Sequence, residues 1–203
     1  LSEEEAVPTL TFAIGGAGAQ VGLAEQFLPS LRGLLMERRL RVQLVAGIKS
    51  SVARELHASV ERAGLSRQLA PGGFLEVIYE SDFDAYLRTF NRVLANTDVL
   101  WTKPSEMTFF GGLGIPLVFS DPVGTHERHN RRWAREEGAG LAQRDPRYVG
   151  EWLKDWLKDG TLAGAAWNGF MRLPHHGLYQ ILEAIGADEA LERSGRGLAA
   201  VAV

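Results

Sequence analysis

The chain contains no cysteine. Disulfides and thiolate metal sites are therefore excluded; the composition suits a reducing compartment, and the expected location is the cytoplasm. Excess positive charge is also missing: 22 Lys and Arg against 25 Asp and Glu leave a formal net charge of −3. Nucleic-acid binding over a broad surface needs clustered Lys and Arg, so no nucleic acid is expected as a partner. No apolar run approaches the roughly 18 to 20 residues of a membrane span, and no signal-peptide pattern opens the chain. The pattern GxxxxGK followed by Ser or Thr is absent, which excludes a P-loop hydrolase, and without GxSxG there is no nucleophile elbow. Zinc spacing is lacking too. His126 and His129 stand three apart and His175 and His176 are adjacent, as expected for helix-start and surface histidines, so no metal is expected.

The most informative stretch that is present runs from Thr11 to Ala19, TFAIGGAGA, where an apolar strand enters a glycine cluster ahead of an amphipathic helix. Glycines let backbone approach a phosphate closely, and a helix start aims unpaired N–H groups and partial positive charge at it. A tight turn without ligand is the competing reading. Further strands are expected at Arg41 to Ala46, Leu75 to Tyr79, Val99 to Thr102, Pro116 to Ser120 and, more weakly, Gly140 to Ala142, with the first at Thr9 to Ile14. Helical spacing falls at Val21 to Arg38, Ser51 to Ala63, Asp82 to Asn96, Glu106 to Leu113 and Glu127 to Glu137, with Pro29 expected to kink or restart the first. Strands alternating with helices, several strands being apolar on both faces, imply an α/β fold. It is Rossmann-like: a doubly wound, mainly parallel six-stranded sheet with helices on both faces and C-terminal helices.

After Asp145 the pattern is purely helical. Tyr148, Val149, Trp152, Leu153, Trp156 and Leu157 form one apolar stripe, with Trp152 and Trp156 read as packing. Aromatics beside Lys154 and Lys158 could also meet lipid headgroups, a reading that Glu151, Asp155 and Asp159 weaken. The expected organisation is a linker over 1–8, a Rossmann-like domain over 9–187 and a tail over 188–203. Gly186 is expected to stop the last helix. The first residue is Leu rather than Met, which reads as an excised piece whose missing domain holds part of an active site.

Two comparisons refine the glycine loop. A dinucleotide fingerprint fits poorly: the third position is Val21, with Gly22 one place late, and the second strand ends in Val45-Ala46-Gly47 with no acid for a ribose. The later loops carry more. Lys103, Ser105 and Thr108 follow one strand, and Gly124, Thr125, His126, Glu127 and Asn130 follow the next. In an open parallel sheet all strand C-termini share one edge, so these loops should gather beside Gly15, Gly16, Ala17 and Gly18. Backbone donors, one ammonium, several hydroxyls and an amide in one crevice suit a diphosphate flanked by sugars. For Lys103 and Ser105 the alternative is a solvated turn with a helix cap.

On these residues the chain resembles the C-terminal donor-binding domain of two-domain GT-B glycosyltransferases, in the branch of murein glycosyltransferase and monogalactosyldiacylglycerol synthase. The likeness spans Thr9 to Ile185, and since the final helices of such folds help dock the two domains, it implies that role for Leu178, Tyr179 or Leu182. It implies that Gly15-Gly16-Ala17-Gly18 meets the nucleotide diphosphate, that Thr102-Lys103-Pro104-Ser105 through Gly114-Ile115-Pro116 is the donor-site loop and helix, and that Gly124 to Asn130 faces the sugar. The implied partner is a nucleoside-diphosphate sugar, UDP-linked above others, with no cofactor, and Lys103 and helix dipoles stabilise the leaving diphosphate. The implied base and acceptor pocket lie on an N-terminal domain of the same protein, which this chain lacks, and the full protein is expected to be able to sit peripherally on the inner face of a membrane. One departure stands out: the family's ribose-holding glutamate has no counterpart in Phe109-Phe110-Gly111-Gly112-Leu113, and Glu106 falls too early. That leaves open a degenerate binding or assembly domain, and a nucleotide-sugar hydrolase or epimerase, beside the glycosyltransferase.

Overall fold

The computed structural model describes residues 7–14, 20–105 and 107–175. Six strands alternate with helices: β1 (Thr9–Ala13), α1 (Val21–Met36), β2 (Arg41–Gly47), α2 (Ser50–Arg62), β3 (Leu75–Tyr79), α3 (Phe83–Ala95), β4 (Val99–Thr102), α4 (Met107–Gly112), β5 (Leu117–Phe119), α5 (Thr125–Glu136) and β6 (Gly140–Ala142). Two further helices follow, α6 (Val149–Lys158) and α7 (Thr161–Arg172). Every strand pair is parallel and the sheet order is β3-β2-β1-β4-β5-β6. The expected Rossmann-like α/β fold is thus the observed one. Two compact units divide at Leu173 and Pro174.

β1 lies at the centre and all five of its residues are buried. Successive strand side chains point to opposite faces, and the alternation sorts them into two cores. Leu10, Phe12, Val99, Trp101 and Val118 face α1, α2 and α6, whereas Ala13, Leu100, Leu117 and Phe119 face α3, α4 and α5. The first core is organised by aromatic edges: Phe12 packs on Phe27 at 5.0 Å and on Trp101 at 5.4 Å, and Trp101 on Trp152 at 5.5 Å. The one polar side chain inside β1 that lies fully buried is satisfied, since Thr11 donates to Gln43 Oε1 at 3.0 Å and bonds Thr97 Oγ1 at 2.7 Å. A buried hydroxyl without such partners would cost about 1 to 3 kcal/mol.

Three expectations need correction. Pro29 does not restart α1, which continues as a single helix through it. Its ring lies on the exposed side, where the carbonyl it leaves unpaired can reach water. α5 begins at Thr125 rather than Glu127, so much of the expected loop after β5 is the first turn of a helix. In the stripe after Asp145, Trp152 and Trp156 are buried as packing residues, but Tyr148 and Leu157 are exposed. Tyr148 sits in a short 3-10 turn, Pro146–Tyr148, whose geometry breaks the helical spacing. That turn is pinned by Asp145, and the Arg147 guanidinium beside it holds the Asp145 carboxyl below the usual carboxylate range.

Candidate functional site

The strand order places β1 beside β4, and their following helices pack on opposite faces, α1 in the Phe12 core and α4 in the Leu100 core. Chains that leave neighbouring strand ends in opposite directions open a crevice between them, the usual ligand position in such sheets. Gln20 opens α1 on one side of it and Lys103 follows β4 on the other. Thr102 Oγ1 donates to the Ala13 carbonyl at 3.3 Å, tying the two strand ends at its floor.

The loop after β4 is bound to the start of α5. Lys103 Nζ lies 3.7 Å from Glu127 Oε1, and Glu127 is only 5% exposed. Its other oxygen accepts the Val123 N–H at 2.8 Å, so one carboxylate both ties down the residue before the α5 N-cap, Gly124, and holds an ammonium. An acid in a first helical turn is also favoured by the helix dipole. Asn130, one turn further along α5, donates from Nδ2 to the Pro104 carbonyl at 3.0 Å. Ser120 closes the gap between the strands, donating from its hydroxyl to the Thr102 carbonyl at 3.3 Å.

A second set of contacts, absent from the sequence expectations, ties in α1 and β6. Gln20 Nε2 donates to the Asp121 carbonyl at 3.4 Å; Asp121 Oδ1 pairs with Arg131 at 3.0 Å, and Oδ2 accepts from Gln143 at 3.4 Å. Gln143 in turn takes the Trp101 indole N–H at 3.0 Å, so the core reaches directly into the edge. Among the described residues Gln20 Oε1 is buried with no hydrogen-bond partner. The only sequence signals for this set were Asp121-Pro122 at a strand end and Arg131 beside Asn130; nothing in the pattern marked Gln20 or Gln143.

The structure thus brings Lys103, Glu127 and Asn130 together at one edge. His126 joins them loosely, 77% exposed with Nε2 at 4.0 Å from Glu127, and its ring lies beside Gly124, the residue before α5. Thr125 is turned to another use: its hydroxyl accepts from Arg128 at 2.8 Å. Ser105 follows Lys103 in a tight turn, its N–H on the Lys103 carbonyl at 2.8 Å, and Thr108 is half-buried on α4. Gly15, Gly16, Ala17, Gly18 and Glu106 lie outside the described residues, as do Leu178, Tyr179, Leu182 and Gly186. Among the described residues no three His, Asp or Glu converge to hold a metal ion, and no helix is long and apolar enough to cross a membrane.

Chemically, the edge offers one ammonium, 27% exposed, whose carboxylate partner sits beyond direct hydrogen-bond distance and leaves its donors open to an anion. It also offers an amide and an imidazole, next to a helix start. That set can hold a phosphate and orient what is attached to it.

A family model described as "Domain of unknown function (DUF6938)" matches residues 2–182. No curated protein matches the sequence. Among solved structures, a Listeria monocytogenes protein described as a candidate UDP-N-acetylglucosamine 2-epimerase aligns with a TM-score of 0.61 at 13% identity, over 90% of this chain and 45% of its own. The C-terminal CMP-Kdo binding domain of WaaA from Acinetobacter baumannii aligns at 0.57 and 13% identity, over 81% of this chain and 88% of its own. Anabaena HepE, solved with UDP and glucose, aligns at 0.56 and 14% identity, over 89% and 48%. The chain therefore spans under half of the Listeria and Anabaena proteins. At such identities the likeness establishes the fold, a Rossmann-like domain of the GT-B type.

Proposed function

The chain belongs to the DUF6938 family, and we propose that this member is the donor-binding half of a glycosyltransferase. A nucleoside-diphosphate sugar, UDP-linked above others, lies in the crevice between β1 and β4. An N-terminal domain supplies the pocket for a hydroxyl-bearing acceptor and the base that deprotonates it. The branch of murein glycosyltransferase and monogalactosyldiacylglycerol synthase remains the resemblance that frames this reading, and with it peripheral contact of the full protein with a membrane.

The observation that carries it is the Lys103 to Glu127 pair at 3.7 Å, set beside the point where the strand order reverses. An ammonium there meets the β-phosphate of the donor and stabilises the charge that grows as the glycosidic bond breaks. Glu127 positions that ammonium. Backbone N–H groups of Gly15, Gly16, Ala17 and Gly18, at the entry to α1, take the other phosphate oxygens. Ser105 and Thr108 offer hydroxyls to the nucleotide side, while Gly124, Thr125, His126 and Asn130 border the sugar. No metal is needed in this scheme, since fixed donors supply the positive charge.

Calorimetric titration with UDP tests the reading. Saturable binding is expected, and Lys103→Ala should weaken it about tenfold to a hundredfold, the loss of one charge-assisted hydrogen bond. Binding that is indifferent to Lys103→Ala would remove the lysine from the site. A second reading is favoured by α4, whose sequence MTFFGG carries no carboxylate for a ribose: a GT-B-like binding or assembly domain without turnover. Failure of UDP, CMP and other nucleoside phosphates to bind would select it.

A further inference from the structure

At the opposite edge of the sheet, where β1 and β2 begin, lies a pocket of about 500 Å³ lined by Val7, Pro8, Leu34, Leu40, Leu153 and Leu157 on its apolar side. Its polar lining is entirely cationic: Arg38, Arg39, Lys154 and Lys158. Arg39 pairs with Glu37 at 3.2 Å, but among the described residues Arg38, Lys154 and Lys158 have no ion pair. Four cations thus border one pocket, and among the described residues Glu37 is the one carboxylate paired with any of them.

Arg38 adds an independent observation. α1 ends with the Arg38 N–H on the Leu35 carbonyl and the Arg39 N–H on the Leu34 carbonyl, the pair of bonds that closes a helix through one left-handed residue. That residue is Arg38, with φ of 57°, and it is the sole non-glycine with positive φ among the described residues. Glycine is the usual occupant because a Cβ in this conformation is strained. Helix ends alone account for Lys158 near the last carbonyls of α6, since cations are favoured there. Arg38 is held in that strained position with its guanidinium over the Phe74 ring, 5.6 Å from the centroid, while it also borders the pocket.

We propose that this pocket is a second anion site, which takes a phosphate ester bearing an apolar portion. The phosphate sits among Arg38, Lys154 and Lys158, and the apolar part lies on Leu40, Leu153 and Leu157. The site is at the strand N-termini, so it can be filled while the crevice at the other end stays open, and it does not rest on the function proposed for that crevice. Such a ligand has two sources: the headgroup of a phospholipid in a bilayer, or a soluble phosphate ester.

The test sets the full chain against vesicles of phosphatidylcholine alone, vesicles of equimolar phosphatidylcholine and phosphatidylglycerol, and phenyl phosphate in solution. Sedimentation with the anionic vesicles only, weakened about fivefold by each of Lys154→Ala and Lys158→Ala, identifies the lipid. Saturable phenyl phosphate binding, weakened by the same substitutions and without a preference between vesicles, identifies the soluble ester. Arg38 is tested by opposed readouts. Arg38→Gly should raise the melting temperature by about 2 to 4 °C while weakening binding, whereas Arg38→Ala should weaken binding without that gain. Binding of neither probe, or binding that all of these substitutions leave unchanged, overturns the proposal.

Discussion

At the scale of single residues, Glu127 has two separable duties, and substitution can separate them. Glu127→Ala removes the acceptor for the Val123 N–H and leaves Lys103 without its carboxylate. A loss of about 1 to 2 kcal/mol is expected in denaturant unfolding, the scale of one hydrogen bond to a charged group. Glu127→Gln keeps an acceptor for Val123 and removes only the charge. It should retain most of the stability yet bind UDP more weakly, and equal losses in both properties would show that the residue serves the helix alone. This site was partly legible in the sequence because Lys103, Glu127 and Asn130 directly follow strand ends, whose shared edge is dictated by parallel pairing. Gln20 and Gln143 were not legible. A glutamine carries no periodic signal, and both act through contacts across long sequence separations, Gln20 on Asp121 and Gln143 on Trp101.

At the scale of elements, the two alternations of two and of three to four residues located the six strands and helices α1 to α6, since burial on one or both faces is what creates those patterns, while α7 was covered only by the general helical pattern after Asp145. Boundaries slipped where chemistry other than hydrophobicity decides them. α5 starts at Thr125, with Glu127 in its first turn reaching back to the Val123 N–H, and α1 survives Pro29 because the ring faces solvent. The approach of α4 and α7 is an element property that no local pattern reveals. A Cβ built on Gly169 would lie 2.6 Å from the Gly111 carbonyl oxygen, so the two helices touch backbone to backbone. Gly169→Ala should therefore destabilise the fold by about 1 to 2 kcal/mol despite alanine's better helix propensity, a fall of about 2 to 8 °C in melting temperature. Gly164→Ala on the same helix meets nothing within 4 Å and should be neutral or stabilising. If both behave alike, close packing of α7 is not what selects glycine.

At the scale of the whole molecule, the chain spans under half of two structurally similar proteins. Under the proposed function it should bind UDP sugar and release no sugar when assayed alone with soluble alcohols as acceptors. Nucleotide release without an acceptor would instead mark a hydrolase or epimerase. The central position of β1 has a consequence for synthesis. This strand, buried along its whole length, is made before the other five strands of its sheet, and it pairs on one side with residues 41–45 but on the other only with residues 99–102. Until β4 has left the ribosome, one edge of an apolar strand stands open as a template for other chains. Nascent chains stalled before Val99 should be bound by holding chaperones or aggregate, and release should come only once β4 can insert.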